Sequence, residues 1–290
     1  MNHRSMRSST LFGSAALVLL CACTKGDKEA SYLQLGTVSV EVDPLTEGTG
    51  SHRITDLWVF AEDEALGVWE SGSRLPVLRE GEVTIKLIAG IPRNGMRDDR
   101  IQYPFYATWS GTVDLRDGAT VRIDPTFNYF TGNIYWNEGF EDPGFKFTRS
   151  ADSDTTMLLV NDPDLVLTGN GAGRIHVDPD RPYVRMVSSD AFTPNGAVFL
   201  ELDRRSDHRF LIGGLMDPTG GGSTIDLPYL FVAPTLRDDG GMPWSKIYVD
   251  LSSLFNAPGL TNKRFYIEVQ LVDGATSGTI LLDDIKLVHR

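Results

Sequence analysis

Beyond position 23 the chain has no cysteine: its only two, Cys21 and Cys23, lie near the start of 290 residues. No disulfide framework can therefore staple the body of the molecule. Basic residues are in the minority, 27 against 39 acids, for a net charge of −12. An acidic surface repels phosphate, which argues against nucleic acid as a partner. After the first 22 residues there is no apolar run long enough to cross a membrane, since a spanning helix needs ~20 residues. Nor is there a convincing apolar stripe at helical spacing. Three catalytic or phosphate-binding signatures are also missing: Gly-x-Ser-x-Gly, His-Glu-x-x-His and the Gly-x-x-x-x-Gly-Lys-Ser/Thr loop. The overall composition, 41% hydrophobic and 23% charged, is that of a globular chain.

The N-terminus reads as an address. Arg4 and Arg7 precede the apolar run LFGSAALVLLCA, residues 11–22. A basic segment followed by a short apolar core is a secretory signal. Leu20-Cys21-Ala22-Cys23 resembles the lipobox of bacterial lipoproteins, with Cys23 the residue that would be lipidated (palmitate among its acyl chains). Cys21 is the rival, but Leu20 is a poor residue to precede a cleavage site. Several acyl chains, each buried CH₂ worth about 0.8 kcal/mol, anchor a domain durably. Thr24 after the cysteine implies the outer membrane, facing either the periplasm or the cell surface. Residues 23–31 form a charged tether that loosely resembles the export signals of Bacteroidota surface lipoproteins. Removing residues 1–22 takes away two arginines and no acid, and the formal charge moves from −12 to −14.

From Leu33 onward the periodicity is two. Val38–Val42, Val83–Leu87 and Val121–Ile123 alternate apolar and polar residues, as half-buried strands do. Glu62-Asp63-Glu64 reads as a hairpin turn between two short apolar runs. Many short strands at close spacing predict an all-β chain of two β-sandwich domains. Block one, residues 32–127, resembles the Ig-like or transthyretin-like sandwiches of exported Bacteroidota lipoproteins. The carrying residues are Asp56–Phe60, Leu66–Val68, Pro76–Leu78 and Gly81. Residues 128–138 read as a connector. Block two, residues 139–290, has its clearest strands at Ala197–Leu202, Phe210–Leu215, Lys246–Leu251, Phe265–Leu271 and Thr279–Val288, with one helical turn within Asp250–Asn256. It resembles the galactose-binding-like jelly rolls that include many carbohydrate-binding modules. Gly139–Asp142, Trp244–Leu251 and the closing Leu282-Asp283-Asp284-Ile285-Lys286-Leu287 carry that resemblance. It implies a binding domain whose ligand site sits on variable loops. A cut near 128–138 is then expected to give two independently folding pieces.

Candidate site residues follow from chemistry. Aromatic rings are sugar platforms, though packing in the core is their commoner use. Trp136 and Trp244 are the candidates near block two. Arg204 and Arg205, in Asp203-Arg204-Arg205-Ser206-Asp207, are candidates for an anion or a uronic acid, against the reading of a charged hairpin tip. None of His52, His176, His208 and His289 sits in a catalytic motif. The acid pairs Asp162/Asp164, Asp178/Asp180 and Asp238/Asp239 lie in turn material, where Asp bonds its own backbone. The jelly-roll resemblance implies a structural Ca²⁺ held by Glu141 and Asp284 with backbone carbonyls. The rival reading makes Asp283 and Asp284 solvated edge acids. The expectation is a lipid-anchored, non-enzymatic surface protein that binds carbohydrate or another surface polymer. The alternative is an assembly subunit of an outer-membrane complex. A glycan-active hydrolase is a distant third.

Overall fold

The structure, a computed structural model, describes residues 29–290; the leader, Cys23 and the tether up to residue 28 lie outside the described residues. The first sandwich contains β1 (Ser31–Leu35), β2 (Ser39–Glu41), β3 (Asp56–Ala61), β4 (Glu64–Glu70), β5 (Arg74–Val77), β6 (Gly81–Pro92), β7 (Arg100–Gln102), β8 (Trp109–Leu115), β9 (Thr120–Ile123) and β10 (Thr126–Asn128). The second contains β11 (Ile134–Glu138), β12 (Phe147–Arg149), β13 (Met157–Val160), β14 (Ala172–Val177), β15 (Tyr183–Ser188), β16 (Val198–Ser206), β17 (Phe210–Pro218), β18 (Ile225–Val232) and β19 (Ser245–Asp250). It ends with the one-turn helix α1 (Ser252–Phe255), β20 (Leu260–Gln270) and β21 (Gly278–His289). The all-β, two-sandwich reading therefore holds, including the hairpin at Glu62–Glu64, where Glu62 takes a left-handed φ of 55° between paired β3 and β4.

In the first sandwich β4-β3-β6 form one sheet, with β7 and β8 both pairing along the long β6; β5-β1-β9 and β10-β2 complete the other side. Leu57, Val59, Ile85, Leu87, Leu33 and Leu35 fill the space between. Their spacing of two within each strand is why the alternation was readable. The second sandwich stacks the sheet β13-β14-β21-β16-β19, with β11 also on β21, against the sheet β12-β15-β20-β17-β18. Its core runs from Val184 and Met186 through Leu200, Leu202, Ile212, Ile267 and Ile280.

Two boundaries differ from the expectation. The stretch 128–138 is not a free connector. Asn128 is still paired with Glu41 in the first sandwich, and β11 pairs in register with β21 from Ile134↔His289 to Glu138↔Ile285. The second sandwich thus begins at 134, five residues before the expected 139, because Ile134–Glu138 supply a strand to its sheet.

The two sandwiches also share packing. Phe199, Tyr248 and Val288 point outward from β16, β19 and β21 and are buried in the first sandwich's cluster. Tyr103 meets Phe199 edge-on at 5.3 Å and lies 5.0 Å from Tyr248. A polar group is enclosed with them. Glu201, with no exposed surface, accepts hydrogen bonds from the Tyr103 and Tyr129 hydroxyls. The Lys246 ammonium lies 3.5 Å from Glu201 and 3.3 Å from Asp203, whose Oδ2 also accepts from the Ser51 hydroxyl at 2.6 Å. Lys286 donates to the Thr49 carbonyl at 3.2 Å and the Tyr129 hydroxyl at 3.1 Å. Each buried charge thus has polar partners, the condition under which burial is tolerated.

Candidate functional site

The first sandwich covers one sheet of the second, so the outer face of the other sheet, β12-β15-β20-β17-β18, is the one it leaves open. Strand alternation places every second residue of β15, β20 and β17 on that face. Register then lines them up: Arg185 beside Glu268, Glu268 beside Leu211, Leu211 beside Phe231. The next row is Val187, Tyr266, Gly213 and Pro228.

One network ties the rows together. The Arg185 guanidinium makes ion pairs with Glu268 at 2.5 Å and Asp226 at 2.8 Å. It also lies over the Tyr266 ring, 4.4 Å from the centroid. The Tyr266 hydroxyl donates to Asp226 at 2.8 Å, and the Tyr183 hydroxyl donates to Glu268 at 3.1 Å. Burial opposes the Arg185 charge, but the Glu268 hydrogen bond and charge override it and hold its pKa above the usual guanidinium range. Burial, then the adjacent Asp226, pushes the Tyr266 phenol up; burial and the Glu268 charge do the same for Tyr183. All three groups therefore keep their ordinary charge at neutral pH. Gly213 makes this arrangement possible. A Cβ there would come within 2.3 Å of the Tyr266 ring, so only glycine lets the ring lie against the sheet. Phe231 stands 63% exposed at the face's edge, with the Arg209 guanidinium 5.1 Å from its centroid.

A second feature lies where the sandwiches meet: a cavity of about 560 Å³ whose lining includes Pro44, Gly48 and Thr49 of the first and Glu138, Lys146, Thr168 and Asp284 of the second. Glu141 and Asp284 both line it. Glu141 receives the backbone N–H groups of Asn170 at 2.8 Å and Gly171 at 3.2 Å, plus the Asn170 side-chain amide, and these bonds draw its pKa down. Asp284 sits in a β-bulge, where two residues of β21 oppose one of β16, and it takes a left-handed φ of 47°. Bulges re-aim side chains, and both Asp284 oxygens face the Thr168 hydroxyl at 3.0 Å. Burial raises the Asp284 pKa, and burial pushes that of Asp283 up to about 7. Both acids are buried, which corrects the reading of solvated edge acids. Asp283 accepts from the backbone of Leu167 and Thr168. Among the described residues no group of three or more His, Cys, Asp or Glu side chains is placed to hold a metal ion.

The other sequence candidates are scattered. Trp136 is 8% exposed and packs edge-on against Phe147, Phe192 and Phe265, at 5.6, 6.1 and 5.3 Å between centroids. Its Nε1–H donates to Asp190 at 2.8 Å. It is a core residue and offers no sugar platform, because β11 is part of the sheet. Arg204, also 8% exposed, is no hairpin tip: it lies within β16 and donates to the carbonyls of Ser245 and Ala233. Arg205 is half-buried and donates to the Asp164 carbonyl at 2.7 Å. Trp244 is half-buried just before β19. Asp162, Asp178 and Asp239 accept backbone N–H groups in their own turns, as read from the sequence. His176 contacts the Thr279 hydroxyl at 3.0 Å, but the two are simply cross-strand partners, and Asp178 is 4.0 Å from the ring. That spacing is beyond hydrogen-bond reach.

Tyr183, Arg185, Tyr266, Glu268 and Asp226 did not stand out in the sequence. The signal was there in Tyr183-Val184-Arg185-Met186-Val187 and Phe265-Tyr266-Ile267-Glu268-Val269, which alternate cleanly. Attention to tryptophan alone passes over them.

No protein-family model matches the chain, and no curated protein matches it. Among solved structures it is similar to a carbohydrate-binding module of the β-sandwich superfamily, at 14% identity over 79% of this chain and 83% of that one, with a TM-score of 0.38. It is similar to a carbohydrate-binding module specific for non-crystalline cellulose, at 14% identity over 51% and 91%, TM-score 0.37. It is similar also to the K2 adhesin domain of Lys-gingipain, at 16% identity over 53% and 97%, TM-score 0.35.

Proposed function

We propose that this chain is a non-enzymatic binding protein, held at the outer membrane by a lipid on Cys23, and that it recognises carbohydrate through the open face of its second sandwich. One observation carries the reading: the Tyr183–Glu268–Arg185–Asp226–Tyr266 network on the sheet face that the first sandwich leaves free. Carboxylates and a guanidinium held in fixed planes meet the paired donors and acceptors of sugar hydroxyls. The half-buried Tyr183 ring and the exposed Phe231 ring supply apolar contact for the C–H faces of a pyranose, while Tyr266 and Leu211 are buried beneath the network. A glycan array probed with residues 23–290 carrying Cys23→Ala tests it. Bound spots should disappear in Tyr183→Ala and Glu268→Gln while the melting temperature changes little. A blank array, with an outer-membrane complex recovered from cross-linked cells, would favour the assembly-subunit reading. The anchor is tested separately: Cys23→Ala should abolish fatty-acid labelling and Cys21→Ala should leave it.

Calcium belongs to the same proposal. Glu141 and Asp284 approach the turn 168–171 from two sides of one cavity. Two carboxylates suffice only when carbonyls and water complete the 6–8 oxygens Ca²⁺ requires. The ion's contribution would be structural, fixing the start and end of the second sandwich to that turn.

A further inference from the structure

We infer that the Lys246 side chain condenses with Asp203 to form an amide between β19 and β16, with Glu201 carrying the proton. The sheet brings the three groups together. Asp203 is the direct cross-strand partner of Lys246, and Glu201 lies two residues earlier on the same face. Nζ stands 3.3 Å from Asp203 Oδ2 and 3.5 Å from Glu201 Oε2. All three residues are at most 3% exposed, so water does not solvate the charges. Glu201 Oε1 is held by the Tyr103 and Tyr129 hydroxyls, whereas Oε2 is buried with no hydrogen-bond partner. It is the free acceptor beside Nζ. The Ser51 hydroxyl donates to Asp203 Oδ2 at 2.6 Å and draws electron density from that carboxyl group.

The step balances. Glu201 takes one proton from the ammonium and passes it to Asp203, and the freed amine attacks Cγ. Oδ2 leaves as water with that proton and a second one from Nζ. The Nζ–Cγ bond forms, the Cγ–Oδ2 bond breaks, and nothing is oxidised or reduced. Burial opposes the Lys246 charge, but the Asp203 and Glu201 charges override it and hold its pKa above the usual range. The proton therefore leaves by transfer inside the site, which is why an acid beside Nζ is needed. Groups fixed in this way react as though at about 10⁵–10⁸ M, far above the concentration of liquid water, which favours the amide where water is excluded. Condensation removes a buried cation and a buried anion, both costly to hold away from water. The N–H that remains is the donor Glu201 Oε2 lacks. Lys86 and Asp63 make a contrasting contact, 2.8 Å apart but exposed, and stay an ion pair. The amide joins positions 43 apart in a chain with no cysteine after position 23.

The test is the intact mass of residues 23–290 (Cys23→Ala) under denaturing conditions, followed by tandem mass spectrometry of its peptides. The expected result is a chain lighter than its sequence by one water, with a branched peptide joining Asp203 to Lys246. Lys246→Arg and Asp203→Ala should each restore the full mass. Glu201→Gln keeps both reacting groups and should also keep the full mass. The unsubstituted chain decides the matter even where a variant fails to fold: its full sequence mass would overturn the bond. So would a water lost solely at Asp117-Gly118, Asp239-Gly240 or Asp273-Gly274, where an aspartate can cyclise on its own backbone. A branched peptide formed equally in Glu201→Gln would overturn the role of Glu201.

Discussion

The two sheets of the second sandwich carry similar outer faces in sequence and meet opposite fates. β16, β19 and β21 present Glu201, Asp203, Lys246 and Lys286 outward; β15 and β20 present Tyr183, Arg185, Tyr266 and Glu268. The first set is sealed beneath the first sandwich, with Glu201 and Lys286 at 0% and 2% exposure. In the second, Tyr183, Arg185 and Glu268 keep partial access to solvent, the latter two side chains at 18% and 16%, while Tyr266 beneath them is fully buried. Alternating polar residues therefore do not by themselves mark a solvent face. What distinguishes the sheets is the ring of tyrosines, Tyr103, Tyr106 and Tyr129, which the first sandwich supplies as hydroxyl partners.

The largest expected effect is on the sealed side. Glu201→Ala leaves Lys246 with only Asp203 as an ion-pair partner and leaves two tyrosine hydroxyls without their acceptor. Breaking a buried pair in this way costs about 3–5 kcal/mol. Denaturant unfolding of the full chain should show that loss; a change below ~1 kcal/mol would mean the faces are not held together by this group. The sealed face also changes the expectation of two independently folding halves. Separating the sandwiches would expose Phe199, Tyr248 and Val288, so the full chain should unfold in a single transition.

On the open side the effect falls on binding first. Gly213→Ala drives a methyl into the Tyr266 ring and should cost about 1–3 kcal/mol, the range for overpacking. It should also weaken glycan binding by shifting the buried ring that supports Arg185 and Asp226. Unchanged binding in a folded Gly213→Ala protein would show that the ring's position is irrelevant to the site.

Calcium removal should have a smaller and reversible effect. An ion bound only by the folded chain raises its melting temperature. Excess EDTA should lower it, and Asp284→Asn should erase the difference. An EDTA-insensitive melt of metal-verified apo protein would eliminate the ion.

The smallest effect concerns His52, beside the sealed face. Burial, with help from the Lys246 charge, lowers its pKa below 6.5 despite the Val38 backbone bond. The folded chain therefore prefers the neutral ring. Stability should rise as pH climbs from the depressed folded value through about 6.5 and level off above it. His52→Gln should flatten that slope, as followed by thermal melts across the same window.

Much of the architecture was legible because burial in a sandwich follows strict alternation. Val83, Ile85 and Leu87 face inward as their spacing requires, and so do Ile280 and Leu282. The short strand Ile134–Glu138 was missed because its aromatic, polar neighbourhood looks like a linker until its partner β21 is known. The site was far less legible. Trp136 reads as a platform by residue type but is walled in by Phe147, Phe192 and Phe265, contacts set by residues distant in sequence. Arg185 and Glu268 lie 83 positions apart and become partners only through the pairing of β15 with β20. Glu141 and Asp284 did reach the same cavity, as the ends of one domain folded back on each other.

The central claim, that one face is sealed by the first sandwich and the other is open, can be read directly from tyrosine nitration of the native chain followed by peptide mass spectrometry. The account predicts that Tyr183 is modified while Tyr103, Tyr106, Tyr129 and Tyr248 stay unmodified until the chain unfolds. Nitration of Tyr103 or Tyr248 in the folded protein, at a rate comparable with Tyr183, would contradict it.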